Sequence, residues 1–349
     1  MRFRYLRFYF TDFFLLPLIV FCLVQVDLMV YGLRMGKGQL EIVWNARPFG
    51  EVYADVTVSE EVKSKLHLIE EIKQFAYDSI GLKRSENYST FFDQKGQQIM
   101  FVVTASERFS LTPHVWHFPI LGDMPYKGFF VQAKAKEEYD RLKLLGLDAD
   151  IGGASGWSTL GWFKDPVLSS MLKRSEGDLA ELIIHELTHG TVFIKDDVDY
   201  NENLATFIGV TGATWYLTSR YGKDSEQYIT YINGNSDEAI RTDFMLYSAN
   251  YADSVYKTIA LQKDIQFKKK VRVGVFDSIV ARAKRLNFSR DSTFGVRLEK
   301  RLAKSGNTVL LQYTRYTAKQ NDFFSQLKQL NNDLRLFIRK ILQQDGAPL

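Results

Sequence analysis

The sequence predicts an α+β protein, with a small mixed sheet in its first half, a mainly helical C-terminal half, and an N-terminal membrane anchor helix ahead of both. Three observations carry this expectation. Apolar residues recur at helical spacing over residues 59–81 and again through most of the chain after Gly222. Between these stretches lie short β-rich runs broken by glycine and proline. Arg2, Arg4 and Arg7 precede an apolar run over residues 13–24. With 349 residues, 46% hydrophobic and 25% charged, the chain can bury a substantial core and does not have the composition of a disordered one. A net charge of +4, with no stacking or base-reading motif, gives no sign of a nucleic-acid partner.

The first element is the anchor. Its uninterrupted apolar run is shorter than the ~20 residues a spanning helix needs. It continues more weakly to Leu33 and takes in Pro17, Gln25 and Asp27. Basic residues before it favour a cytoplasmic start, and no small-x-small cleavage site follows. An uncleaved anchor over residues 1–33, with the main body outside, is the preferred reading. A buried N-terminal helix, or a signal peptide with an unusual cleavage site, is the alternative. The one cysteine, Cys22, lies in this segment, so the folded part has neither a disulfide nor a thiolate ligand.

Residues 34–50 read as a polar exit containing Gly36 and Gly38. Leu66, Ile69, Ile72, Phe75 and Ile80 mark a helix over 59–81, with Gly81 as its stop. Residues 99–104 read as a buried strand. The prolines and glycines of 113–130 suggest a loop, and 134–145 a charged surface helix. Residues 148–163, rich in glycine with Trp157 and Trp162, fit an irregular edge strand. Ser175 and Asp178 form a capping-box pattern that opens a helix over 177–193. A second helix is expected from about Tyr200 to Gly222, where Gly209, Gly212 and Ala213 would allow close packing. Asp322 would cap a final helix with the stripe Phe324, Leu327, Leu330, Leu334, Phe337 and Ile341. The lysines and arginines of 263–304 read as a solvated face, with anionic lipid as the alternative. Three parts follow: an anchor (1–33), a catalytic part (34–222) and a helical part packed on it (223–349).

Within the helix over 177–193 lies His185-Glu186-Leu187-Thr188-His189, in a chain with only five histidines. Histidines four residues apart stand one above the other on a helix face, so both imidazoles can reach one zinc ion. The intervening Glu186 would sit close to the metal's open position, where it can take a proton from water. A catalytic zinc site needs a third protein ligand. Glu202 leads, provided the second helix returns antiparallel after a short loop. Asp196, Asp197 and Asp199 are its rivals, and Asp199 also suits the N-cap of that helix. Thr206, one turn beyond Glu202, is a candidate for steadying the ligands from behind. The chemistry such a centre suits is hydrolysis of an amide bond.

The chain resembles a bacterial family of predicted aminopeptidases, zinc metallopeptidases of the gluzincin kind. The matching residues are Gly156-Trp157-Ser158-Thr159-Leu160-Gly161-Trp162-Phe163, Asp165-Pro166, the His185–His189 motif and Asn201-Glu202. Pro125-Tyr126-Lys127-Gly128-Phe129-Phe130, Gly38-Gln39 and Arg47-Pro48 also match, and the resemblance runs from about residue 30 to the end. It implies a zincin-like core, Zn2+ on His185, His189 and Glu202, Glu186 as the catalytic carboxylate, and a peptide substrate. It also implies a site at the bacterial envelope, which for an anchored chain means the inner membrane with the catalytic part in the periplasm. Residues 156–163 would form an edge strand beside the cleft, and Tyr316, in a C-terminal stretch that also resembles the family, would donate to the oxyanion. Two features depart from the family. The interval from His189 to Glu202 is shorter than in the best-known gluzincins. Where many relatives have cysteines around 116–125, this chain has His117 and Asp123. An aminopeptidase also needs an anion for the substrate's α-ammonium, for which Asp165 and Glu181 are candidates. The competing reading is a zinc-stabilised envelope protein that binds a peptide or partner without cleaving it. The intact Glu186 argues against it, since a binding module needs no general base.

Overall fold

The structure is a computed structural model. It describes residues 26–118, 122–153, 164–194, 197–313 and 320–344. The chain divides into two compact units, Met1–Asn45 and Ala46–Leu349.

In the first unit the described residues form one helix, α1 (Val26–Asn45). The expected anchor run over 13–24 lies outside the described residues. The stretch expected as a polar exit is helical as far as Asn45. No proline interrupts it, and its glycines lower helix stability without preventing a helix. Among the described residues no helix is long and apolar enough to cross a membrane.

The second unit opens with β1 (Arg47–Pro48), α2 (Phe49–Ala54) and α3 (Glu60–Phe75). Ser59 caps α3 by accepting the Val62 N–H. The helix widens into a π-turn over Ala76–Ile80 and stops at Gly81, whose φ of 88° is the left-handed conformation expected at a helix end. Strands β2 (Thr90–Phe92) and β3 (Phe101–Ser106) follow. The segment expected as loop contains three short strands, β4 (Trp116–Phe118), β5 (Gly122–Met124) and β6 (Lys127–Phe129). Pro113 and Pro125 lie outside the strands, so turns and pairing residues alternate too quickly for a periodicity to show. His117 and Asp123 stand opposite each other in the β4–β5 pair and share an exposed hydrogen bond.

Helix α4 (Gln132–Leu144) leads into β7 (Asp148–Gly153), and β8 (Val167–Leu168) follows. Among the described residues the strands make three small sheets. One is β1–β2–β8, antiparallel at β1–β2 and parallel at β2–β8. Another is the antiparallel β6–β3–β7, and the third is the β4–β5 pair. Strand β7 is an edge of its sheet among the described residues, as the reading of 148–163 expected for its first part; residues 154–163 lie outside them. Val103, Ala105, Trp116, Ala135, Leu142, Leu147 and Ala149 close the core between this sheet and α4.

The elements described in the remainder of the unit are mainly helices: α5 (Glu176–His189), α6 (Val198–Tyr221), α7 (Glu226–Thr258), α8 (Ile265–Ala283), α9 (Phe294–Ser305), α10 (Thr308–Leu311), α11 (Gln320–Gln329) and α12 (Leu334–Gln344). Helices α7 to α10 share a core around Met245, Tyr256, Ile279, Phe294, Leu298 and Leu310. The expected single final helix is two. Asn331 and Asn332 adopt positive φ (55° and 61°), which asparagine tolerates better than most residues, and Asp333 caps α12 through the Leu336 N–H. The break re-phases the stripe. Phe323, Leu327, Leu334, Phe337 and Ile341 are buried, while Phe324 is exposed and Asp322 lies in the first turn of α11. Phe323 and Phe337 pack on Tyr200 and Phe207, which fixes the N-terminal half of α6.

Candidate metal centre

Ser175 starts α5 by accepting the Asp178 N–H at 3.2 Å and donating its own proton to the Asp178 carboxylate at 2.7 Å. Leu179, Ile183, Ile184 and Leu187 are buried, each contributing about 1.5–3 kcal/mol in removing apolar surface from water. The helix ends at His189, earlier than expected. Gly190 follows as the C-cap, and Thr191 turns its hydroxyl back to the Leu187 carbonyl at 2.9 Å. His185 and His189 thus share one face of the last turn and a half, with Glu186 beside them.

Helix α6 runs back antiparallel along α5, as the short-loop argument required. The loop between them is clamped by Asn201. Its side chain accepts the Ile194 N–H at 2.8 Å and donates to the Ile194 carbonyl at 2.7 Å. Asp197, a rival ligand, caps α6 instead, by accepting the Tyr200 N–H at 3.0 Å. The expectation that Asp199 would be the cap is corrected by two residues: Asp199 lies in the first helical turn. Asp196 and the Asp199 side chain lie outside the described residues.

This return brings Glu202 to the histidines. The two Nε2 atoms are 3.2 Å apart, and the Glu202 oxygens are 3.6 Å from His185 and 3.5 Å from His189. Among the described residues, these three form the one cluster of metal-ligating side chains with donor atoms all within 4.8 Å of one another. The spacings fit a shared ion. Ligands about 2.0–2.1 Å from a tetrahedral centre lie ~3.4 Å from each other. The donor set, two imidazoles and one carboxylate, suits a borderline ion such as zinc.

Burial and the close approach of these groups shift their charges in different directions. Burial, with the neighbouring His185, lowers the pKa of His189 to about 4 and keeps it neutral. The hydrogen bond to His185 holds the Glu202 carboxyl below its usual range, so it stays ionised. Burial opposes charge on His185, but the Glu202 hydrogen bond and the charges of Glu186 and Glu202 prevail and raise its pKa. Burial pushes Glu186 up to about 7, against the pull of His185; the charges of Glu202 and Asp165 add to the rise.

Behind Glu186 stands a residue that the motif does not announce. Tyr88 is 1% exposed, and the charges of Glu186 and Asp165 act on it. Burial, then the charges of Glu186 and Asp165, push its phenol well above the ordinary range, so it remains a donor. Its φ of 57° is left-handed, a conformation costing a bulky residue about 1–3 kcal/mol. Lys73 supports it from α3, donating to the Asn87 carbonyl (2.7 Å), the Tyr88 carbonyl (3.2 Å) and the Ser89 hydroxyl (2.7 Å). The only sequence signal for this turn is its Ser-Glu-Asn-Tyr-Ser composition, and nothing singles out Tyr88 among 18 tyrosines.

Of the two residues considered for a substrate ammonium, Asp165 is buried, with its charge acting on Tyr88 and Glu186. Glu181, one turn before His185, accepts the Tyr231 hydroxyl at 2.8 Å. Thr206 lies on α6 one turn past Glu202. Tyr316 and residues 156–163 lie outside the described residues.

A family model described as "Putative aminopeptidase" matches residues 30–348. The chain belongs to this family. The match takes in nearly the whole sequence, both helices of the site included, and points to peptidase activity. No curated protein and no solved structure matches the chain. Within this aminopeptidase-type family, the site of this chain is therefore read from its own geometry.

Proposed function

We propose that the chain is a zinc metallopeptidase with a zincin-like core that removes residues from the N-terminus of peptides. The observation that carries this reading is the convergence of His185, His189 and Glu202 on one point, with Glu186 beside them. When bound, zinc supplies a Lewis acid that polarises the scissile carbonyl and acidifies a water toward a pKa of ~7. The chain's own residues supply the rest. His189 presents a neutral nitrogen, His185 one that must give up its proton to bind the metal, and Glu202 brings a negative charge. Glu186 takes a proton from the attacking water and passes it to the leaving amine nitrogen. A general base of this kind contributes about 10²–10⁴-fold in rate. The bacterial inner membrane is the proposed location, with residues 1–33 as the anchor and the folded part in the periplasm. Exposed Leu33, Leu40 and Trp44 on α1 support an apolar setting there.

The test is metal analysis of the purified chain with cleavage of a broad peptide library, for wild type and Glu186→Gln. Stoichiometric zinc, stepwise loss of N-terminal residues and a loss of at least about 100-fold in Glu186→Gln are expected. Bound zinc without cleavage would leave a zinc-stabilised binding protein, and internal cuts would make the enzyme an endopeptidase. Absence of zinc would overturn the metal reading.

A further inference from the structure

We propose that the tip between α7 and α8, residues 260–270, docks the folded part on an anionic phospholipid bilayer. The inference does not depend on the metal or peptidase reading, and it adds a second membrane contact to the proposed anchor. Every residue of 260–267 is exposed. Three of them are large and apolar: Leu261 is 96% exposed, Ile265 50% and Phe267 46%. A connection that only reverses the chain is ordinarily built from Gly, Pro, Asn, Asp and Ser. This one reads Leu-Gln-Lys-Asp-Ile-Gln-Phe over 261–267, and only Asp264 is of that kind. The Asp264 carboxylate is taken up in capping α8, where it accepts the Gln266 and Phe267 N–H groups at 2.8 and 3.1 Å. Single exposed apolar side chains need no explanation, but three within seven residues at one end of a helix pair do.

The charge around these side chains selects the partner. Residues 261–270 carry four lysines, Lys263, Lys268, Lys269 and Lys270, against the one carboxylate of Asp264. Further along the basic stretch 263–304, several cations have acidic partners. Arg272 meets Asp148 at 2.6 Å, Lys284 meets Glu299 at 2.6 Å, and Lys304 lies 3.7 Å from Asp150. Among the described residues Lys263, Lys269 and Lys270 enter no ion pair. Lys268 donates to the Ala260 carbonyl at 3.1 Å, with its ammonium 5.9 Å from the centre of the Phe109 ring. That bond ties the first turn of α8 back across the connection, so the tip has its shape before it meets a surface. Lysine is depleted in protein–protein interfaces, whereas lysine beside exposed apolar residues is the composition of a membrane-surface segment. At a bilayer both kinds of residue are satisfied. The apolar side chains enter the acyl boundary, the lysine stems lie along them, and the ammonium groups stay among the lipid phosphates. Each lysine near an anionic surface strengthens the attraction about fivefold.

The test uses the full chain with Cys22→Ser, so that Leu261→Cys supplies its single thiol and carries an environment-sensitive fluorophore. Emission is read on vesicles of equal parts phosphatidylglycerol and phosphatidylcholine, and on vesicles of phosphatidylcholine alone. The second arm accounts for whatever the N-terminal segment contributes without charge. Expected is a blue shift on the anionic vesicles, little on the others, and its reversal at about 1 M salt, where charges are screened beyond about 3 Å. Lys269→Gln with Lys270→Gln should lower the ratio of shifted to unshifted emission on the order of 10- to 30-fold. Lys223→Gln with Arg285→Gln removes the same charge just outside the far ends of α7 and α8, and should leave the ratio near its starting value. Helix α7 alone, with 33 residues, spans about 50 Å. All four substituted cations are exposed, so the fold is kept. No shift on the anionic vesicles would overturn the proposal and leave the tip to an acidic protein. An equal shift on both kinds of vesicle, or equal losses in the two double variants, would overturn it as well.

Discussion

Gly209 of α6 passes so close to α5 that a Cβ placed on it would stand 3.2 Å from the Cβ of His185 and 3.0 Å from the Glu181 carbonyl. The two helices that build the candidate metal centre therefore touch backbone to backbone, and the missing side chain sets their separation. At Gly212 the neighbours are side chains instead: a Cβ would lie 2.8 Å from the Ile80 Cδ1 and 3.1 Å from Ile184 of α5.

Gly209→Val should push α6 away and carry Glu202 out of reach of the histidines. Overpacking of this kind costs about 1–3 kcal/mol, against less than ~1 kcal/mol gained from helix propensity. The expected result is a lower Tm together with weakened zinc binding. Gly274→Ala on α8, where a Cβ meets nothing within 4 Å, is the control and should stabilise by about 0.5–1 kcal/mol. Equal behaviour of the two variants would remove the packing argument.

Glu202→Gln keeps the shape of the third ligand and removes its charge. Zinc affinity should fall by more than the 10- to 100-fold that loss of an outer partner typically costs, on the order of 100-fold or beyond. Zinc at 100 times its Kd stabilises a folded protein by about 2.7 kcal/mol, so a chelator should lower the wild-type Tm and leave that of the variant almost unmoved. A chelator-insensitive wild type would count against a bound metal.

Much of this centre was legible because its code is local. Two histidines and a glutamate within one turn and a half need only a helix to meet, and the helix announced itself through Ser175, Asp178 and an apolar face. Glu202 required one further step, an antiparallel return, which a short loop between two helical patterns made natural. Tyr88 and Lys73 were not legible. Tyr88 sits in a turn far away in sequence and Lys73 on α3, and what joins them is which carbonyls a buried ammonium meets, which no periodicity encodes. The short strands β4 to β6 were missed for a related reason: three-residue strands (each too brief to alternate visibly) are fixed by their partners. The break at Asn331 and Asn332 was hidden by an apolar stripe that seemed continuous across it.

Glu138 gives the fold a defined acid limit. Burial acts to raise its pKa, but hydrogen bonds from Arg141 and Trp116 and the charge of Lys127 outweigh it and bring it to about 2, against 4.5 ordinarily. The Trp116 indole N–H lies 2.6 Å from its carboxylate, so the group ties β4 to α4. A depressed folded pKa means the unfolded chain binds the proton first. The stabilisation is complete above pH 4.5 and is lost as pH falls toward 2. Arg141 is half exposed, so about 1–3 kcal/mol is a fair size after screening. Urea denaturation across this window should show Glu138→Gln with a flatter acid limb than wild type; parallel limbs would assign the acid sensitivity elsewhere.

Asn201 offers the sharpest separation of loop from ligand. It sits next to Glu202 and is buried, yet both of its side-chain hydrogen bonds go to the backbone of Ile194. Asn201→Asp keeps an acceptor for the Ile194 N–H but turns a second oxygen toward the Ile194 carbonyl, replacing a hydrogen bond with a repulsion. Leaving such a group unsatisfied costs about 1–3 kcal/mol. The loop should then loosen, α6 should lose the register that presents Glu202, and zinc affinity should fall on the order of 10- to 100-fold, although no ligand has changed. Asp197→Ala removes only the helix cap and should cost about 0.5–2 kcal/mol of stability while zinc affinity stays within a few-fold of wild type. Isothermal titration with zinc, run beside thermal melts of both variants, separates the cases. If both lose zinc affinity in proportion to stability, the loop has no special part in placing Glu202. If Asn201→Asp alone loses it, the clamp across Ile194 is what turns two packed helices into a metal centre.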